Sequence, residues 1–171
     1  MDRMATIELA LRNEKQEMAF YLAEARRSRN PLAKAMFENL AADEHEHMIR
    51  IGRLHDRLVS EGAWPEDVAL EVAGTHIQET LAANATLASS KADHDDGDEQ
   101  AIEKAIVFEG AGEKLYRGLA EDSTAAQEKT FFAFLAGIER EHRLSLIDSL
   151  SYLRDPSAWF EKHEKIGLDG A

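Results

Sequence analysis

Cysteine is missing from all 171 residues, which excludes disulfide frameworks, thiolate zinc sites, iron–sulfur clusters and thiol nucleophiles. Positive charge is scarce as well: 20 Lys and Arg stand against 33 Asp and Glu, for a formal net charge of -13. A surface of that sign suits a cationic partner or bound metal ions and disfavours nucleic acid and anionic membrane. No apolar run approaches the roughly 20 residues of a membrane span, and the opening MDRMATIELALRNEK has no signal-peptide core. A cytoplasmic location is the expectation. With 44% hydrophobic residues the chain can bury one real core and is short for two, so a single domain over 1–171 is expected.

What the sequence does contain is helical periodicity. Ile7, Leu11, Glu14, Met18, Tyr21 and Ala25 recur at alternating spacings of four and three, one stripe along a helix. Asn30 and Pro31 read as an N-cap and first-turn proline, and the next stripe runs Phe37, Leu40, Glu44, His47, Ile51, Leu54, Leu58, with Gly62 as its stop. A third stripe takes Ile102, Ile106, Glu109, Glu113, Tyr116 and Ala120. After a break at EDST, the fourth takes Phe132, Leu135, Glu139, His142, Leu146, Ser149 and Leu153. The pattern predicts an all-α fold of two helical hairpins, 3–61 and 99–154, joined by a crossover over 63–98 that holds a shorter helix. A short C-terminal helix is predicted over 156–167, with Trp159, Phe160 and Ile166 as its apolar contacts. The acidic DHDDGDE reads as a solvated loop and helix start, because a calcium loop with Gly97 as its sixth position would put Ala92 at the first ligand.

The hairpins repeat one another. A gapless shift of 95 residues carries Glu14 to Glu109, Tyr21 to Tyr116, Phe37 to Phe132, Leu40 to Leu135, Glu44 to Glu139 and His47 to His142. His45 falls opposite Arg140, so within ADEHEHMIR His47 is the paired histidine and His45 is expected on the wet face. His55, His76, His94 and His163 have no such counterparts and read as surface residues.

Glu14, Glu44, Glu109 and Glu139 interrupt otherwise apolar stripes, where a bare carboxylate would cost many kcal/mol or lose its charge. Glu14 and Glu44 are each about 15 residues, roughly 22 Å of helix, from the first turn, so they face one another; Glu109 and Glu139 match in the second hairpin. Each hairpin adds Glu-x-x-His, whose two side chains project from one face a turn apart and can grip one ion. Four carboxylates and two neutral imidazoles balance two divalent cations, so a dinuclear centre is inferred. Carboxylate and imidazole without thiolate suit iron or manganese, admit zinc and disfavour calcium. Tyr21 and Tyr116 lie two turns beyond Glu14 and Glu109, where each hydroxyl either braces a ligand carboxylate or belongs to a simple core tyrosine.

NEKQEMAFY with DEHEH, and FEGAGEKLY with IEREH, resemble the rubrerythrin family of ferritin-like di-iron carboxylate proteins over residues 5–60 and 100–155. The resemblance implies a ferritin-like four-helix bundle holding two iron ions per chain. It implies that Glu44 and Glu139 bridge the metals, that Glu14 and Glu109 are terminal, and that His47 and His142 each bind one. The chain departs from the family twice. The cysteine-ligated iron domain that feeds electrons to full-length rubrerythrins has no counterpart in a chain without cysteine, so an external electron donor is expected. The family's extra glutamate, three residues after the first ligand of the third helix, is here Gly112, with Glu113 next along and Glu17 at the symmetry-related position as substitutes.

The function implied is an oxidoreductase that reduces hydrogen peroxide or dioxygen. One alternative is an iron-handling protein that oxidises and binds ferrous iron without steady turnover; another is a helical interaction module stabilised by metal. The apolar terminal segment and the long crossover lead to the expectation of a homodimer.

Overall fold

The computed structural model describes residues 3–62, Trp64 and 96–161. Four long helices account for nearly all of them: α1 Arg3–Arg27, α2 Pro31–Glu61, α3 Asp96–Asp122 and α4 Ala126–Arg154, with a further helical stretch over 156–161. No strand occurs among the described residues, and none of their helices is long and apolar enough to cross a membrane. The predicted crossover helix, with His76 and His94, lies outside the described residues, as do His163 and Ile166.

Local signals set the helix ends. Asn30 caps α2, its Oδ1 accepting hydrogen bonds from the backbone N–H of Leu32 at 2.9 Å and Ala33 at 3.2 Å, with Pro31 in the first turn. Gly62 ends α2 at φ +67°, the left-handed conformation that glycine adopts without a Cβ penalty. In the 156–161 stretch, Trp159 donates from its indole Nε1 to Asp148 at 2.9 Å, and both it and Phe160 pack edge-on against Tyr152.

α1 and α2 form one antiparallel hairpin and α3 and α4 the other, packed into an all-α bundle of the ferritin-like kind. Two apolar clusters fill it. One joins the C-terminal half of α1 to the start of α2, the start of α3 and the end of α4, through Tyr21, Phe37, Leu40, Ile102 and Leu146. The other joins the opposite ends through Ile7, Ile51, Leu54, Tyr116, Phe132 and Leu135, with Trp64 edge-on to Phe131. Phe37 and Phe132 are both fully buried, and rings of that size contribute several kcal/mol each.

Within DHDDGDE the expected helix start is present, but Asp98 is not solvated. α3 begins at Asp96, and Asp98 is buried. Arg27 donates to the Gly97 carbonyl at 2.7 Å and to Asp98 at 3.2 Å, and the Asn30 backbone N–H donates to Asp98 at 3.3 Å. The buried carboxylate thus ties the start of α3 to the α1–α2 turn and fixes how the two hairpins meet at that end.

Candidate metal centre

Between the two apolar clusters lies a layer of buried charge. Glu14 from α1, Glu44 and His47 from α2, Glu109 from α3, and Glu139 and His142 from α4 are all at most 1% exposed. His47 Nδ1 stands 3.0 Å from carboxylate oxygens of both Glu14 and Glu44. His142 Nδ1 lies 3.1 Å from the other Glu44 oxygen and 3.5 Å from Glu109. Glu44 is therefore shared by two triads, Glu14–Glu44–His47 and Glu44–Glu109–His142, each with donor atoms within 4.8 Å of one another. The two imidazoles stack with ring centroids 5.6 Å apart.

These groups are packed together without satisfying one another. Among the described residues, Glu44 Oε1, Glu109 Oε2, Glu139 Oε2, His47 Nε2 and both His142 ring nitrogens are buried without a hydrogen-bond partner. The 3.1 Å approach of His142 Nδ1 to Glu44 Oε1 lacks hydrogen-bond alignment. Buried polar atoms are rarely left unpaired, so a cluster of convergent lone pairs at one level fits a cation site. The donor set, all carboxylate oxygen and imidazole nitrogen, suits iron or manganese.

Without a metal, protons must carry the balancing charge. Burial and the neighbouring Glu44 charge raise Glu14 to about 7, and burial with the charges of Glu17 and Glu109 holds Glu139 well above the usual carboxylate range. Burial alone would lower both histidines, but hydrogen bonds to Glu14 and Glu44 bring His47 up to about 9, and the Glu109 charge lifts His142 well above its ordinary value. Burial also works against the Glu44 carboxylate, yet His142 and His47 more than offset it and hold Glu44 below its ordinary range.

Both tyrosines brace carboxylates across the hairpins. Tyr21 on α1 donates its hydroxyl to Glu109 on α3, and Tyr116 on α3 donates to Glu14 on α1. Burial and the facing carboxylates raise both phenols well above their ordinary range, so they stay protonated donors.

Two differences between the repeats fall at the site. Asp43, whose counterpart is Ile138, brings a buried Oδ2 to 3.6 Å from His142 Nε2, a charge-pair approach without a hydrogen bond. Glu17, whose counterpart is Gly112, is fully buried in the layer, within 4.8 Å of Glu14, Glu44 and Glu139 as donor atoms. Glu113 is not in the layer. It is paired with Arg143 at 2.9 Å and with Arg117, outside the cluster. His45 is exposed, one position round from the buried His47.

The stripe over α1 also shifts. Ala10 and Glu17 are buried in place of Leu11 and Met18, and on α3 Ala105 and Gly112 replace Ile106 and Glu113. The signal for Glu17 was the repeat itself, since only the 95-residue shift sets it opposite Gly112.

Neither the curated proteins nor the solved structures include a match to this chain. Residues 6–84, which take in most of α1, all of α2 and a segment outside the described residues, match the rubrerythrin family model.

Proposed function

We propose that the chain is a dinuclear iron carboxylate protein that reduces hydrogen peroxide or dioxygen with electrons from an external donor. The observation that carries this reading is the pair of Glu/Glu/His triads sharing Glu44, with unpaired ring nitrogens and carboxylate oxygens converging in a buried layer. Glu14, Glu44 and His47 would hold one ion, and Glu44, Glu109 and His142 the other, with Glu139 completing the set from α4. When bound, iron would supply reversible one-electron chemistry.

The remaining work falls to the protein. Reducing peroxide to two waters consumes two electrons and two protons, and Tyr21 and Tyr116 keep their hydroxyl protons beside the ligand carboxylates. The hydroxyls of Tyr21 and Tyr116 fix the carboxylates of Glu109 and Glu14 in orientation. The apolar clusters above and below keep bulk water from the layer.

A second reading takes ferrous iron itself as the electron source. The reaction is then ferroxidation at the same layer of buried carboxylates and imidazoles. Elemental analysis of protein purified without added metal, followed by anaerobic reduction and stopped-flow mixing with peroxide or dioxygen, tests both. Two irons per chain and oxidation coupled to oxidant loss are expected. Repeated turnover with an added reductant supports the first reading, and oxidation only in step with added ferrous iron supports the second. Absence of metal together with failure to bind added iron would refute both.

A further inference from the structure

Glu17 lies outside the ligand set defined by the paired motifs, yet it is as deeply buried as any member of that set. It is 0% exposed, its Oε2 accepts a hydrogen bond from Asn13 Nδ2 at 3.0 Å, and its Oε1 is buried without a partner among the described residues. A carboxylate oxygen in that position is costly unless something cationic meets it. A Glu17 carboxylate oxygen lies within 4.8 Å of donor oxygens of Glu14, Glu44 and Glu139.

Position 112 is the counterpart of 17 under the repeat, and it borders the same space from α3. A Cβ on Gly112 would stand 2.7 Å from Glu139 Oε2, 2.9 Å from Glu139 Cδ and 3.2 Å from Glu17 Oε1. Both carboxylates end flexible side chains and could retreat, but a carboxylate that retreats cannot also hold an ion in place. The absent side chain at 112 is therefore what leaves room for Glu17 beside Glu139.

We propose that Glu17 is a seventh protein donor to the dinuclear centre, and that Gly112 admits it, so that one extra carboxylate enters from α1 where a side chain at 112 would enter from α3. The inference rests on the dinuclear reading of the site. It makes the centre unequal across its pseudo-twofold, with five carboxylates in the layer, three of them from the first hairpin.

Manganous ion alone serves as the probe, its free concentration read by electron paramagnetic resonance, with circular dichroism to establish folding. Wild type should bind two ions per chain. Glu17→Gln should fold and lose roughly tenfold or more in affinity for at least one of them. Gly112→Glu with Glu17 retained should bind more weakly than wild type. The exchange Glu17→Gly with Gly112→Glu should return affinity to about twofold of wild type, where Glu17→Gly alone does not. Should Glu17→Gln fail to fold, the exchanged variant decides: recovery supports the proposal and no recovery over Glu17→Gly overturns it. Wild-type affinity in Glu17→Gln, or in Gly112→Glu, also overturns it. A wild type that binds no manganese or iron removes the dinuclear reading instead, so the two failures are distinct.

Discussion

In the metal-free protein the charge layer should make stability fall as pH rises through neutrality, and metal should reverse that slope. His47 is the clearest contributor. Folding raises its proton affinity from an ordinary 6.5 to about 9, through the carboxylates of Glu14 and Glu44 at 3.0 Å. The folded state therefore binds a proton that the unfolded chain releases above about pH 6.5, and this contribution, complete below that value, is lost as pH climbs to about 9. The difference corresponds to about 3 kcal/mol. His142, raised in the same direction, adds to it, and so does Glu14, whose stabilising proton is lost as pH approaches about 7. Glu44 does not oppose the trend, because its lowered value is felt only on acidification below the ordinary carboxylate range. For a chain of this size, about 3 kcal/mol moves the midpoint of thermal unfolding by roughly 10 °C. The assay is thermal circular dichroism in excess chelator between pH 6 and pH 9, repeated after loading with divalent metal. In the loaded protein the ion takes the place of those protons, so affinity and melting temperature should both rise with pH over that range. A melting temperature in chelator that stays flat or rises from pH 6 to pH 9 would refute the assignment of the buried charge.

Three further outcomes are expected. His47→Ala should lose most metal from the first triad while His45→Ala, on the exposed face, keeps it; elemental analysis of the two variants separates them. Tyr116→Phe removes the hydroxyl donor to Glu14, and Tyr21→Phe the donor to Glu109; each should cost about 1–3 kcal/mol of stability in denaturant titration of the metal-free protein. Asp43→Asn should weaken binding at the His142 position about 10- to 100-fold and leave the His47 position nearly unchanged, which a two-site metal titration resolves.

The paired Glu-x-x-His motifs, and the glutamates 30 residues before each, were legible from the sequence because a helix repeats every 3.6 residues and the repeat shows them twice. Helix ends were legible for the same local reason: Asn30–Pro31 and Gly62 act through their own backbone and side chains within a turn. What periodicity left open was rotation about the helix axis. Ile7, Glu14 and Tyr21 fit a seam through Leu11 and Met18 as well as one through Ala10 and Glu17, and hydrophobicity favours the former. The tertiary structure chose the latter, because the seam must admit close approach of α3, and small Ala10 and a carboxylate facing side-chain-free Gly112 fit there. Glu113 went the other way, drawn out of the layer by Arg143 and Arg117. Asp98 likewise reads as a solvated acid until the hairpins meet; its partner, Arg27 at 3.2 Å, is about 70 residues away in the chain, and Asp43 meets His142 at 3.6 Å across about 100. Residue type and spacing determined that this chain carries two matched sets of carboxylate and imidazole, since both are properties of a single helix. Which further carboxylates join them was decided only by packing, since burial and proximity across helices have no counterpart in local sequence.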